Sequence, residues 1–200
     1  ENLWGQTPER YQCEVKTDLI DILPPDIRSL LDVGCGDGFI TNALSDHASV
    51  IGLDISRSAL KFVTMEKIQG SILDIPLKEG ACDLVMANDI LEHLEPSLRA
   101  RALRELARVS SEYVIITVPI FEDLNVAMAK CADCGKYFHI NHHLVSFDPK
   151  ETKKLLDGEG FHCIRQIITG DQWDPQATGA VFDKKLLLVD LTQSNNSICP

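Results

Sequence analysis

The chain predicts an α/β fold built on a doubly wound, mostly parallel sheet whose last strand runs antiparallel. Three observations carry this: short runs that are apolar nearly throughout, amphipathic segments between them, and a closing pair of apolar runs with no helical pattern between its members. A strand that is apolar at every position, rather than every second one, is covered on both faces, as in parallel sheets flanked by helices. Strands alternating with helices then imply right-handed crossovers.

Residues 29–33 read SLLDV, 50–54 VIGLD, 83–87 DLVMA and 113–118 YVIITV, and these are the buried parallel strands. Residues 39–44, 56–64 and 96–109 are the intervening helices, the last with Leu98, Ala102, Leu106 and Val109 on one face. A further helix spans 148–158, with Pro149 in its first turn and Gly158 as its stop. Residues 9–23 form an extra helix ahead of the first strand. The runs 163–169 and 184–191 pair antiparallel at the sheet edge.

Two hundred residues fit a single domain, 1–200, with a helical lead-in over 1–28. A net charge of -11 argues against nucleic acid, whose phosphates select clustered Lys and Arg, and against anionic membranes. The longest apolar run, 114–121, is far shorter than the roughly 20 residues that span a bilayer. No basic stretch followed by an apolar one marks a secretory leader. Seven cysteines, an odd number and mostly isolated, fit a reducing compartment, so the expectation is a cytoplasmic protein, monomeric or homodimeric.

The sharpest motif is LDVGCGDGF over residues 31–39, at the end of the first strand. Gly34, Gly36 and Gly38 remove the β-carbons that would hold a ligand off the backbone, and they admit positive φ. The helix that follows offers unpaired amides. A dinucleotide site would need glycine where Phe39 stands, so the bend suits a ligand with a carboxylate and no phosphate. Asp54 ends the second strand, placed to accept from ribose hydroxyls. The third strand leads into GSILDIP (70–76), and the fourth into NDILEHL (88–94).

In this order of motifs (LDVGCGDG, GLD, LDIP, CDLV, DILEHL) the chain resembles the class I S-adenosylmethionine-dependent methyltransferases, nearest the branch with the ubiquinone-biosynthesis enzymes. The likeness extends over residues 29–191, through YVIITVP and HLVSFDPKETKKLLDGEGF. It implies a Rossmann-like, seven-stranded sheet and S-adenosylmethionine as cofactor. It also implies that Asp32 and the backbone of Gly34, Cys35, Gly36 and Gly38 hold the methionine end, and that Asp54, with Ile55, meets the ribose. Ser71 and Ile72 would meet the adenine, and Asn88 the methionine or sulfonium. Ser71 stands where many relatives carry an aspartate that accepts from the adenine amine. Asp83 is read as a cap on its strand, and Glu92 and His93 as loop-orienting residues.

Residues 131–143 read CADCGKYFHINHH. Cys131 and Cys134 on one tight turn, with His139 and either His142 or His143, have the count and ligand types of tetrahedral Zn²⁺. The spacing CxxCGKxxH resembles the first three ligands of a retroviral-type zinc knuckle. The set expected is Cys131, Cys134, His139 and His143, with a redox pair or two plain thiols as the alternatives. The segment 120–147 follows the fifth strand and overhangs the crevice beyond the strand ends, which makes it the substrate lid.

The reaction expected is in-line methyl transfer to oxygen or nitrogen of a small-molecule acceptor, aided by placement and, where the acceptor loses a proton, by a base. Candidate bases are His142 and His143, then Glu122 or Asp123. The alternatives are an RNA or protein methyltransferase that grips its polymer with the knuckle-like loop, and a non-catalytic cofactor-binding regulator.

Overall fold

The computed structural model describes residues 4–8, 10–126, 128–169 and 185–190. Its strands are β1 (Ser29–Val33), β2 (Ser49–Asp54), β3 (Glu66–Gln69), β4 (Cys82–Asn88), β5 (Ser110–Pro119), β6 (Met128–Lys130), β7 (Tyr137–His139), β8 (Cys163–Thr169) and β9 (Lys185–Asp190). Its α-helices are α1 (Arg10–Ile22), α2 (Phe39–Leu44), α3 (Pro96–Val109) and α4 (Pro149–Gly158). Seven strands form one sheet in the order β3-β2-β1-β4-β5-β9-β8, and β6 and β7 form a separate hairpin. The strands from β3 to β5 are mutually parallel, while β9 lies antiparallel between β5 and β8. The expected architecture is therefore present; residues 9, 184 and 191 of the expected elements fall outside the described ones.

Burial explains the strand composition. Leu30, Leu31, Leu84, Val85 and Met86 are inaccessible to solvent, neighbours on one strand included, so both sheet faces are covered. The step from β1 through α2 goes one way along the sheet, and that from β4 through α3 goes the other. Right-handed crossovers in opposite directions put α2 and α3 on opposite faces and leave a crevice where the order reverses, between the carboxyl ends of β1 and β4. Helix α3 covers its face with Ala102, Leu103, Leu106 and Val109, all fully buried. Truncating Leu106 to alanine would cost about 2–5 kcal/mol.

Asp83 does cap a strand. Its Oδ2 accepts from the amides of Arg28 and Ser29 at 2.8 and 3.2 Å, and the Asp83 amide donates to Ser29 Oγ at 2.9 Å, tying the starts of β1 and β4. These donors hold its carboxyl below the usual range. Helix α4 begins as read, with the Asp148 carboxylate accepting from Lys150 and Glu151 amides.

Two elements differ from expectation. Residues 56–64 hold only a single 3₁₀ turn, Ala59–Lys61. The side chains around it supply competing bonds: Ser56 Oγ accepts from the Ala59 amide, and Asn42 Oδ1 takes the amide and hydroxyl of Thr64. Short polar side chains that satisfy the backbone locally end a helix early. The second difference is the β6–β7 hairpin within 120–147, where the sequence pattern shows a metal-type loop and no strands.

Candidate active site

The crevice holds a cavity of about 620 Å³, with walls from the glycine bend, the end of β4, α1 and the segment after β5. Gly34, Gly36 and Gly38 have φ of 74°, 54° and 81°. Each lies in the left-handed region, which a side chain makes costly. A Cβ on Gly34 would overlap the Ile90 side chain, whereas one on Gly36 would meet only Trp4, at 3.4 Å. The bend is thus open to the cavity at Gly36, with Trp4 across from it. Its shape is fixed from β2: the amides of Gly34 and Cys35 donate to the Leu53 carbonyl, and that of Gly36 donates to Asp54 Oδ2 at 2.9 Å. Helix α2, Phe39–Leu44, has the six residues expected of it.

Asp32 lines the cavity from the end of β1, is 2% exposed, and accepts from Thr41 Oγ1 at 2.5 Å. Burial drives its pKa up to about 7, against the opposing Thr41 bond. A buried carboxyl poised there binds a cation by giving up its proton. Cys35 beside it has its thiol pushed well up, first by burial and then by Asp32 and Asp54, and so is unreactive. Asn88 closes this end: its Oδ1 accepts from Thr117 Oγ1 at 2.7 Å, leaving its amide hydrogens for a ligand. Asp89, missed in the sequence, also lines the wall and has φ of 53°.

The far wall comes from the segment after β5. His143 Nδ1 lies 2.7 Å from Glu122 Oε2, and His139 Nε2 lies 3.5 Å from Glu122 Oε1. All three side chains are buried, and His143 lines the cavity. His142 also lines it, with φ of 56° and its ring stacked on Phe138. His93 meets the His143 ring edge to face at 4.9 Å, and its Nδ1 lies 3.3 Å from the His142 carbonyl. Burial and then His143 hold the His93 pKa down. Phe121, Asp89 and His142 are the only described non-glycine residues with positive φ, and all three sit at this wall or directly before Glu122. Strain of this kind collects at functional sites.

The structure thus brings together Asp32, Gly34, Cys35, Gly36, Asn88, His142 and His143 around one cavity, with Glu122 directly behind His143. It does not bring there Gly38, Asp54, Ile55, Ser71 or Ile72. Asp54 is occupied by the amides of Gly36 and Ser56; Ile55 is 74% exposed; Ser71 Oγ accepts from Leu73; and Ile72 is buried in the core. The wall also uses Trp4 and Gln12, whose only sequence signal was their place ahead of the first strand.

The expected zinc ligands are divided. Cys131 and Cys134 sit at the hairpin tip, where the Gly135 amide donates to the Cys131 carbonyl. His139 pairs with Met128 at the opposite end of the ladder, and its ring faces Glu122. Among the described residues, the His/Cys/Asp/Glu groups close enough to share an ion are Glu92, His93 and His143, and Glu122, His139 and His143, with no cysteine in either. The hairpin geometry is the physical reason: about 3.3 Å per strand residue carries His139 away from the turn.

Residues 31–116 match the methyltransferase domain family. The malonyl-[acyl-carrier protein] O-methyltransferase of Legionella pneumophila is 27% identical over 137 residues, 60% of this chain and 46% of that protein. The ubiquinone biosynthesis O-methyltransferase of Bordetella avium is 29% identical over 93 residues, 40% of this chain and 39% of that protein. The chain spans less than half the length of these curated relatives. Among solved structures, the S-adenosylmethionine-dependent methyltransferase of Methanosarcina mazei superposes with a TM-score of 0.68 at 18% identity, covering 88% of this chain and 96% of that one. That of Archaeoglobus fulgidus gives 0.67 at 19%, covering 89% and 93%. At such identities the structures speak for the fold, and the domain match speaks for the family. By that match residues 31–116 carry a methyltransferase domain, and the sheet around it has the Rossmann-like fold of those S-adenosylmethionine-dependent methyltransferase structures.

Proposed function

We propose that this protein methylates an oxygen or nitrogen of a small-molecule acceptor, with His143 receiving the acceptor's proton. The observation that carries this is the buried 2.7 Å contact between His143 Nδ1 and Glu122 Oε2 on a wall of the cavity that Asp32 and the glycine bend also line.

The residues fit S-adenosylmethionine: a buried carboxyl suits its ammonium group, the open backbone at Gly36 admits a close approach, and Asn88 offers donors to its carboxylate. When bound, the cofactor supplies an electrophilic methyl on a cationic sulfur. Asp32 would hold the methionine ammonium, and Trp4 would cover the bend. A carboxylate only accepts hydrogen bonds, so Glu122 fixes the His143 proton on Nδ1 and leaves the Nε2 lone pair for the acceptor O–H or N–H. The acceptor's proton would pass to Nε2 of His143, and Glu122 would stabilise the imidazolium. His142, stacked on Phe138, shapes the wall rather than taking the proton. Asp54 serves the cofactor by holding the bend, and Ile55, Ser71 and Ile72 remain assigned to the nucleoside side.

Titration of the protein with S-adenosylmethionine, followed by assay of S-adenosylhomocysteine against a pool of phenols, carboxylic acids and amines, tests this reading. Binding without any demethylated product would leave the regulator instead. A polymer acceptor is the second reading, favoured by the hairpin, where Lys130 lies over the exposed Tyr137 ring. Binding of single-stranded RNA that weakens with salt and is lost on Tyr137→Ala would support it.

Zn²⁺ enters the proposal at the hairpin tip alone. Amides of Cys134 and Asp133 donate to the Cys131 sulfur and lower its pKa, which suits a metal-bound thiolate. Two thiols are half of a closed tetrahedral site, so no step of the reaction is assigned to the ion. Elemental analysis of the purified protein against Cys131→Ser/Cys134→Ser tests it. The described cysteines are all free thiols, which supports a cytoplasmic setting. No helix among the described residues is long and apolar enough to cross a membrane.

A further inference from the structure

We propose that His139 is a positioning residue that, through Glu122, sets the tautomer of His143. The inference rests on the reading of His143 as the proton acceptor, and adds a residue that touches neither acceptor nor cofactor.

The backbone amide of His143 donates to His139 Nδ1 at 3.3 Å. That nitrogen therefore keeps its lone pair, and a neutral His139 must carry its proton on Nε2. Neutrality is favoured: burial lowers the His139 pKa first, and the His143 and His142 imidazoles add to this against the pull of Glu122. The Nε2 proton points into the interior, where His139 is 5% exposed and, among the described residues, no other hydrogen-bond partner meets it. What it faces is Glu122 Oε1, at 3.5 Å. That distance is long for a hydrogen bond, so the interaction is mainly that of a dipole with a buried carboxylate.

The other carboxylate oxygen lies 2.7 Å from His143 Nδ1. Glu122 is thus held between two imidazole N–H groups, one from each histidine, and its plane is set by both. The turn makes this arrangement: the His142 amide donates to the His139 carbonyl at 2.8 Å, and positive φ at His142 stacks the two rings with centroids 5.0 Å apart.

Glu122, His139 and His143 are also the donor set of a two-histidine, one-carboxylate metal site. The hydrogen bonding speaks against that use. A ligating histidine gives one nitrogen to the metal and donates its other N–H to a partner. Here the other nitrogen of His139 accepts, so ligation through Nε2 would require a ring stripped of both protons.

The test is ¹⁵N NMR of the full chain labelled at histidine, with His139→Leu, His139→Gln and His143→Gln. Loss of signals in the last variant assigns His143. In the unchanged protein His143 is expected as the Nδ1–H tautomer and His139 as the Nε2–H tautomer. In His139→Leu the His143 signals move toward a mixture of tautomers, and kcat falls about tenfold or more with KM for S-adenosylmethionine unchanged. Glutamine can accept and donate in the same directions, so His139→Gln restores both signals and rate. His143 remaining purely Nδ1–H in His139→Leu overturns the proposal, as does an Nδ1–H signal for His139 in the unchanged protein, which needs no variant to fold. Stoichiometric Zn²⁺ that shifts both rings, with retention lost in His139→Gln, overturns it in favour of a metal. Unchanged methyl transfer in His143→Gln would sink the proton-acceptor reading alone and leave the tautomer result standing.

Discussion

Asp54 and Gly36 lie eighteen residues apart in sequence, and the carboxylate of one accepts from the amide of the other at 2.9 Å, fastening the end of β2 to the bend after β1. The second oxygen accepts from Ser56 at 2.7 Å, so the aspartate joins three segments before any ligand arrives. Asp54→Asn keeps the size but loses charge-assisted bonds worth about 1.5–3 kcal/mol each. We expect at least a tenfold loss in S-adenosylmethionine affinity by calorimetry, together with a melting point lowered by several degrees. An unchanged melting point with lost affinity would mean that Asp54 acts on the ligand only.

With Asp32 as the proposed partner of the methionine ammonium, cofactor binding should depend on pH. Its pKa stands near 7 in the folded chain against 3.8 for the ordinary group. Below about 7 it holds a proton that a bound ammonium must displace, so affinity should rise up to tenfold per unit toward pH 7 and then level. Calorimetry between pH 5.5 and 8 that finds flat affinity would remove Asp32 from the site.

The same raised pKa predicts a stability cost of opposite sign to that of a paired carboxylate. Between about pH 4 and 7 the unfolded chain has lost this proton and the folded one retains it, so the group's contribution falls as pH rises through that window. Asp32→Asn should melt several degrees above the unchanged protein at pH 8, with the gap closing toward pH 4, while losing cofactor affinity. Stability given up at a binding group is a familiar exchange.

Gly34→Ala places a methyl group against Ile90 and holds an L-residue at φ of 74°. The strain alone costs about 1–3 kcal/mol. Pairing it with Ile90→Ala relieves the overlap but not the backbone, so the double variant should regain part of the lost melting temperature. Full recovery would show that the left-handed backbone is not required there.

His143→Gln and Glu122→Gln should each lower kcat about 10²–10⁴-fold with little change in KM for S-adenosylmethionine, as expected of a base and its support. The effects should not add in the double variant, since both remove one unit. A rise in KM at constant kcat would make the pair a binding wall.

The sheet and the glycine bend were legible because their signals are local: an apolar run, a glycine every second residue, an acid at a strand end. The histidine wall was only half legible. Glu122, His142 and His143 stood out by chemical type, yet the contact between Glu122 and His143 spans twenty-one residues and depends on a hairpin of three-residue strands too short to show a period. The same hairpin undid the knuckle pattern, because spacing along a ladder separates what spacing around a loop would gather. The 3₁₀ turn at Ala59–Lys61 escaped because Asn42 ends it from a distant segment.

The segment carrying the histidines departs from the sheet and returns to it at one spot: Ile120 bridges Phe147, the Phe121 amide donates to the Phe147 carbonyl at 2.9 Å, and Leu144 donates to the Glu92 carbonyl at 2.8 Å. A loop whose two feet are already clasped pays little for added or deleted length, since closure entropy grows only slowly with residue number. On the proposed reading of this segment as the acceptor wall, exchanging it between relatives should change the acceptor while leaving S-adenosylmethionine affinity unaltered, a result that calorimetry and product assay of the chimaera would check.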